Sequence, residues 1–127
     1  MNKPYNQACP IARTLDIIGD RWTLLIVRDL FLGQRRFGAL LASSPGIPPK
    51  LLSGRLKRLE QRALIERVVY SQHPLRAEYR LTEEGRSLAP LLEEMVRWGL
   101  DHCFEGELEA SDAVARRVFG HTGTEIQ

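Results

Sequence analysis

Cysteine is almost absent from this sequence, which holds only Cys9 and Cys103 in 127 residues. Two cysteines this far apart make neither a disulfide framework nor the paired spacing of a zinc site. We therefore expect a protein without a bound metal, and nothing in the sequence indicates a cofactor.

Long apolar stretches are also missing. The longest run, from Trp22 to Val27, is far too short to cross a bilayer. Residues 1–7 lack the apolar core of a signal peptide. We expect a cytoplasmic protein with no membrane partner, folded as a single domain over residues 1–127. Its core is expected at about 9–104, followed by an acidic extension at 105–127.

The sequence carries no recognisable catalytic motif. Its three histidines, His73, His102 and His121, lie far apart. No Cys/His signature, defined pair of carboxylates or glycine-rich phosphate loop is present. We therefore expect that the protein is not an enzyme.

Positive charge is concentrated in the middle of the chain. Residues 34–80 hold ten Lys and Arg against three Asp and Glu, whereas residues 81–127 hold four against ten. A basic segment beside an acidic one is typical of a protein in which one part meets a polyanion such as DNA. Chance clustering is the alternative, and so large a swing between adjacent segments disfavours it.

A basic amphipathic helix is predicted at about 49–62, with Pro49 suited to its first turn. Apolar residues recur at helical spacing and form one narrow stripe, Leu52, Leu56, Leu59 and Ala63. The residues that point away from this stripe are Lys50, Gly54, Lys57 and Gln61, flanked by Ser53 and Arg58. Arg55 and Arg62 lie nearer its edge.

Such a helix fits the major groove of DNA, where Lys and Arg reach phosphates and guanine edges. A charged face that meets only solvent is the alternative, and the neighbouring elements decide between these two interpretations.

Three helices are predicted before the basic helix. The first begins at Pro10 and ends at Gly19, and the second, about 21–32, is apolar on nearly all sides and forms the scaffold of the core.

Asp20 is expected to cap that second helix. A third, short helix at about 37–42 is followed by a turn at 43–46. A short helix, a turn and a basic helix make a helix-turn-helix, in which the last helix reads the DNA.

A β-hairpin is predicted after the reading helix, at about 64–81. Residues 64–70 are β-branched and aromatic, residues 76–81 alternate between apolar and polar, and the polar segment 71–75 joins them. A hairpin in this place is a wing, and its basic residues are Arg67, His73, Arg76 and Arg80. Basic wings contact the flanking DNA backbone or the minor groove.

Thr82 is expected to cap a further helix, with a kink or break at Pro90. The apolar stripe of this helix is too wide for a small wing to cover, and it comprises Leu88, Leu91, Leu92, Met95 and Trp98. It packs either on the first two helices or on a second subunit, and the residues alone do not decide which. One more short helix is predicted at 111–119.

Taken in order, these motifs resemble the HxlR-type family of bacterial winged helix-turn-helix regulators, relatives of the MarR-type proteins. The resemblance runs from Cys9 to His102. It is carried by Cys9-Pro10, Gly19-Asp20-Arg21-Trp22-Thr23, Lys50-Leu51-Leu52-Ser53, Leu81-Thr82-Glu83-Glu84-Gly85-Arg86 and Trp98-Gly99. Two positions depart from the family pattern: Pro48 stands where a small hydroxyl residue is frequent, and Gly54 where longer polar side chains are.

The resemblance implies a mostly α fold with a small antiparallel β-hairpin, a winged helix-turn-helix extended by N- and C-terminal dimerisation helices. It also implies a homodimer that regulates transcription, as a repressor or an activator, by binding a pseudo-palindromic operator in double-stranded DNA. Some members of the family sense quinones, aldehydes or oxidants through the cysteine that aligns with Cys9.

The residues expected to contact DNA are Arg36, Lys50, Ser53, Gly54, Lys57, Gln61, Arg67, His73 and Arg76. Cys9 is the candidate for sensing a small-molecule or electrophile effector, because a helix N-terminus favours a thiolate. The alternative for Cys9 is a small buried hydrophobe. For the whole chain, the alternative is a winged-helix module that binds other proteins and not DNA, and the basic segment 34–80 disfavours it.

Overall fold

The computed structural model describes residues 8–104. The predicted helix at 111–119 and the acidic extension lie outside the described residues. Within them the elements are, in chain order, α1 (Pro10–Ile18), α2 (Thr23–Phe31), α3 (Phe37–Ser43), α4 (Pro49–Gln61), β1 (Ile65–Gln72), β2 (Leu75–Leu81), α5 (Glu83–Arg86) and α6 (Ala89–His102). No helix among residues 8–104 has the length and apolar content needed to span a membrane.

Prolines and glycines set the ends of the first helices, as the sequence predicts. Pro10 opens α1, and Pro49 opens α4. Gly33, after α2, has a φ of 99°, the left-handed conformation that favours glycine at a helix end. Gly46, with a φ of 93°, turns the chain between α3 and α4. The predicted helix-turn-helix is therefore confirmed, with α2 starting at Thr23, two residues later than expected.

The core lies between α2, α4 and the base of the hairpin. Ile26 and Val27 of α2 and Leu52 and Leu56 of α4 are each at most 1% exposed. Leu59, one turn further along α4, belongs to the same cluster. The leucine stripe of α4 is thus buried as predicted, and its burial turns the opposite side of the helix toward solvent.

The apolar stripe ends earlier than the sequence predicts. Helix α4 stops at Gln61, and Ala63 is exposed with a left-handed φ of 62°. The N–H of Leu64 donates to the carbonyl of Leu59 at 3.0 Å, so that the chain leaves the helix toward β1. The expectation that Ala63 belongs to the stripe is wrong, because this residue follows the last helical residue and is exposed. Arg62 is also exposed, but it lines a small cleft with Leu59, near the edge of the stripe as predicted.

One charged side chain of α2 is fully buried. Asp29 is 1% exposed, and its carboxylate accepts hydrogen bonds from Nε of Arg28 at 2.9 Å and from the hydroxyl of Ser44 at 3.5 Å. A carboxylate removed from water needs such partners. The bond from Ser44 joins α2 to the turn that follows α3.

The wing is a two-stranded antiparallel hairpin of β1 and β2. Its predicted five-residue tip is wrong, since Gln72 still pairs with Leu75 and only His73 and Pro74 lie between the strands. The wing is therefore longer and its tip narrower than the polar composition of residues 71–75 suggests.

The predicted cap and break after the wing are both confirmed. The hydroxyl of Thr82 accepts a hydrogen bond from the N–H of Gly85 at 3.0 Å and caps α5. Helix α5 ends at Arg86, and α6 begins at Ala89 with Pro90 in its first turn. Pro90 is tolerated there because the N–H it lacks has no partner within the helix.

The apolar stripe of α6 is largely open to solvent. Leu92 is buried in the core, but Met95 and Trp98 are 50% and 61% exposed. Helix α1 carries a second exposed apolar pair, Ile11 at 71% and Leu15 at 52%. Within residues 8–104, packing on the first two helices therefore does not cover the stripe, which leaves a second subunit as the alternative to test.

Leu56→Ala is expected to lower the free energy of unfolding by about 2–5 kcal/mol, because it removes a fully buried side chain from the contact between α2 and α4. Urea unfolding followed by circular dichroism measures this loss. The neighbouring exposed residue provides the control, and Lys57→Ala should change the free energy by less than about 0.5 kcal/mol. Equal losses in the two variants would contradict the buried position of Leu56.

Candidate nucleic-acid interface

The outer face of α4 is formed by Lys50, Ser53, Gly54, Lys57 and Gln61, all of which are exposed. The structure thus brings together on one side of one helix all five residues predicted for it. The helix has 13 residues, which span about 20 Å. A single helix with so slender a polar side fits the major groove, which is about 12 Å wide.

The two positions that depart from the family pattern lie within α4, at Gly54, and directly before it, at Pro48. A Cβ added at Gly54 would meet no atom within 4 Å, so packing inside the chain does not require glycine there. Pro48 is the N-cap residue and makes no side-chain hydrogen bond to the first turn. The helix therefore starts without a side-chain cap, as proline in place of a hydroxyl residue predicts.

The predicted basic residues of the wing lie on both strands and at the tip. Arg67 is in β1, His73 is in the tip and Arg76 is in β2, and all three are exposed. Arg67 is paired with Tyr79 and Arg76 with Ser71, so the two arginines lie at different distances from the tip. The hairpin thus presents positive charge along its length.

Arg36, expected to contact a phosphate, contacts the wing in this structure. Its guanidinium carbon lies 5.2 Å from the centroid of the Tyr70 ring, and its Nε is 3.9 Å from Oε2 of Glu78. Close by, the N–H of Tyr79 donates to the carbonyl of Arg35 at 2.7 Å. The Arg36 side chain remains 62% exposed, so it forms part of the junction between α3 and the wing while staying accessible.

An ion pair beneath α4 escaped the sequence analysis. The carboxylate of Asp20 accepts hydrogen bonds from the N–H of Trp22 at 3.1 Å and from the hydroxyl of Thr23. Asp20 is nevertheless not the cap of α2 that the sequence predicts, because α2 begins at Thr23 and its N-cap residue is Trp22, which makes no side-chain cap hydrogen bond. The same carboxylate accepts a hydrogen bond from Nε of Arg55 at 2.8 Å. The position of Arg55 near the buried stripe was the available signal, but helical spacing does not name a partner 35 residues away.

Cys9 lies at the N-cap position of α1, as predicted, and its thiol is free and half-buried. Cys103, directly after α6, is also free and is exposed. In the part of the chain that the structure describes, no group of His, Cys, Asp or Glu side chains is placed to hold a metal ion.

The helix-turn-helix, the wing and α6 fall within residues 17–107, which match the HxlR-like helix-turn-helix family. The chain belongs to this family. The predicted resemblance is confirmed, and with it a helix-turn-helix transcriptional regulator as the class of protein. An HTH-type transcriptional regulator of Mycobacterium tuberculosis is 49% identical over 89 residues, which are 70% of this HxlR-like chain and 56% of that protein. The match therefore spans little more than half of the relative's length.

Solved structures confirm the winged fold of the HxlR-like chain. A transcriptional regulator of the MarR family from Porphyromonas gingivalis superposes with a TM-score of 0.69 and 33% identity over 80% of this chain and 99% of that one. The redox regulator HypR in its oxidized form superposes with a TM-score of 0.70 and 35% identity over 76% of this chain and 100% of that one. The fold is thus that of MarR-like regulators, mostly helical with one antiparallel hairpin.

The Asp20 carboxyl of the HxlR-like protein is more acidic than usual. Partial burial acts to raise its pKa, but hydrogen bonds from Thr23, Arg55 and Trp22, together with the charge of Arg55, outweigh burial and hold the pKa below the ordinary value of 3.8. The ionised carboxylate therefore stabilises the folded state at pH values above the unfolded pKa of about 3.9. This contribution is lost as the pH falls through the lower, native pKa.

Asp20→Asn should therefore lower the free energy of unfolding near neutral pH, and by less and less as the pH falls below about 4. Urea unfolding of wild type and variant between about pH 7 and pH 2.5 measures the difference. Arg97→Gln, which breaks the exposed contact with Glu94, is the control and should have little effect near neutral pH. If the free energy of unfolding of Asp20→Asn stays below that of wild type by the same amount down to the lowest pH, this result would contradict the lowered pKa.

Proposed function

We propose that this HxlR-like regulator binds a pseudo-palindromic operator in double-stranded DNA as a homodimer, with α4 of each subunit in the major groove of one half-site. The observation that carries the proposal is the outer face of α4, where Lys50, Ser53, Lys57 and Gln61 are exposed together on a helix whose other side is buried. Lysine reaches phosphates and guanine edges, serine bonds phosphates, and glutamine bonds the N6 and N7 edge of adenine.

The wing binds the DNA that flanks each half-site. Arg67, His73 and Arg76 are accessible along a hairpin that follows α4 directly. These side chains bond phosphates or enter the minor groove, which positions α4 without reading sequence. Arg36 adds a phosphate contact beside the middle of the wing, where its contact with the Tyr70 ring also holds the hairpin against the start of α3.

Charge supports binding to a polyanion by the middle of the chain. The segment that contains α3, α4 and the wing holds ten Lys and Arg against three Asp and Glu. Neutralised phosphates release condensed counterions, so affinity for DNA should fall steeply with salt. The acidic residues lie mostly after the wing in the sequence.

The exposed apolar residues of α1 and α6 support the homodimer. Ile11 and Leu15 are four residues apart on α1, and Leu91, Met95 and Trp98 follow at four and seven on α6, so each set lies on one side of its helix. Removing apolar surface from water stabilises an association by about 25 cal/mol for each Å² buried. A second copy of the chain could cover these residues by two-fold symmetry, and the half-sites read by helix-turn-helix dimers commonly lie about one turn of DNA apart.

The proposed effector is an electrophile or oxidant that reacts with Cys9. The thiol lies at the N-terminus of α1 and is only half-buried, so a small reagent can reach it. Similarity to the redox regulator HypR supports this role. Modification at the start of α1 would disturb a helix of the dimer contact and so change the affinity for the operator.

Selection of duplexes from a random-sequence pool, followed by fluorescence anisotropy, tests the proposal. The selected operator should bind with a dissociation constant of about 10⁻⁸ M or tighter, and a scrambled duplex at least about a thousandfold more weakly. Raising the salt should weaken both. Absence of DNA binding even at low salt would contradict the proposal and favour a module that binds other proteins.

Lys57→Ala should weaken operator binding by about tenfold, because it removes a contact to a base edge or phosphate from the outer face of α4. Anisotropy on the selected operator measures the change, and circular dichroism verifies the fold. Arg86→Gln removes an exposed positive charge from α5, away from the proposed interface, and is the matched control. An affinity that Lys57→Ala leaves unchanged would remove this residue from the interface.

Cys9→Ser should keep operator affinity but abolish the release of DNA by diamide or a quinone, because the serine hydroxyl does not react with either. Anisotropy of the preformed complex during titration with the reagent measures release. Cys103→Ser controls for the exposed second thiol and should respond like wild type. Release that persists in Cys9→Ser would show that this thiol is not the sensor.

A further inference from the structure

Two arginines of α4 bind residues at the end of α1. Nε of Arg55 donates to the carboxylate of Asp20 at 2.8 Å, and Nη2 of Arg58 donates to the carbonyl of Asp16 at 2.7 Å. Residues three apart lie on the same side of a helix, so both bonds leave α4 from the side that faces α1. They join the reading helix to a helix from which it is separated by α2 and α3 in the sequence.

Different parts of α1 therefore make different contacts. One side carries Ile11 and Leu15, which are exposed and belong to the proposed dimer contact. The last turn of α1 holds α4 through the Asp16 carbonyl, and the connection that follows α1 holds α4 through the Asp20 carboxylate. The chain thus contains a short, polar connection between the surface that meets a second subunit and the helix that meets DNA.

The Asp20 carboxylate is well held in this position. It accepts hydrogen bonds from the N–H of Trp22, the hydroxyl of Thr23 and the guanidinium of Arg55, so three contacts oppose its rotation. The side chains of Asp20 and Arg55 are 22% and 26% exposed. A hydrogen-bonded ion pair that is partly shielded from water constrains its partners more than an exposed pair does.

Arg55 also differs from the residues of the outer face. Lys57, two positions along the helix, is exposed, whereas the guanidinium of Arg55 is directed toward Asp20 and is mostly covered. Its charge is therefore engaged inside the protein and not presented to phosphates.

We propose that Asp20 and Arg55 are positioning residues for operator recognition: their ion pair fixes the orientation of α4 relative to the connection between α1 and α2, and thereby the distance between the two reading helices of the dimer. This inference rests on the proposed function, because only a dimer bound to DNA has a half-site spacing to set. The pair acts through α4 and touches no base or phosphate itself.

The test compares the selected operator with a duplex in which the half-sites are moved apart by one base pair, about 3.4 Å along the axis. Wild type should bind the altered spacing at least about tenfold more weakly, because its reading helices are held at one distance. Asp20→Asn keeps the shape of the side chain but removes its charge, and it should reduce this discrimination to about twofold or less. Wild-type discrimination in Asp20→Asn would overturn the inference.

Salt dependence separates positioning from direct contact. Arg55→Gln should leave the slope of log affinity against log salt unchanged, whereas loss of a phosphate contact lowers its magnitude by about one. Combining Asp20→Asn with Arg55→Gln should cost no more spacing discrimination than either change alone, because both break the same pair. A lowered salt slope in Arg55→Gln would overturn the inference and place Arg55 on the DNA.

Amide hydrogen exchange of the DNA-free protein provides a readout that needs no operator. Residues 49–61 should exchange faster in Asp20→Asn than in wild type, while Arg62→Gln, at an exposed arginine after the same helix, should match wild type. Arg55→Lys, which keeps the charge but loses the planar fork, replaces Asp20→Asn if that variant fails to fold. If wild type selects no operator, the proposed function fails, and hydrogen exchange of residues 49–61 alone decides whether Asp20 holds α4. Exchange in Asp20→Asn that equals that of wild type overturns the inference.

Discussion

Burial of the leucine stripe of α4 in the core cluster that it shares with α2 is the constraint on which the rest of this structure depends. Leu52 and Leu56 are essentially inaccessible to water, as are Ile26 and Val27 of the same cluster. Because a helix with one buried side must expose the other, this burial alone determines that the basic side of α4 faces outward. The base of the wing packs on the same cluster through Ile65, so the hairpin leaves the core beside the reading helix.

Polar contacts then fix the orientations of the wing and of α4, which burial of apolar side chains does not determine. Arg36 and the backbone bond between Tyr79 and Arg35 hold the wing against the start of α3. Asp20 and Arg55 hold α4 against the end of α1. Hydrogen bonds and ion pairs depend on angle and distance far more than apolar contacts do, which suits them to orient helices that the core only brings together. The exposed apolar residues on α1 and α6 form the proposed contact with a second subunit.

Much of the fold follows from local chemistry in the sequence. Proline at the start of α1 and α4, glycine after α2 and the Thr82 cap act within one turn of chain, and the sequence predicts each of them. The sequence does not predict the helix end at Ala63, because no residue type there marks a left-handed conformation. It also predicts too long a wing tip, because the polar residues 71–75 are equally compatible with paired strands. The Asp20–Arg55 pair was missed because spacing predicts a face of a helix and not its distant partner.

The central claim is that the outer face of α4 contacts DNA, and the chain offers a direct test because it has only three lysines, Lys3, Lys50 and Lys57. Acetylation of the protein with and without its selected operator, read by mass spectrometry, measures the access of reagent to each amine. The account predicts that DNA protects Lys50 and Lys57 while Lys3, far from α4 in the sequence, serves as the internal reference. Equal reactivity of Lys50 and Lys57 in free and bound protein would contradict it.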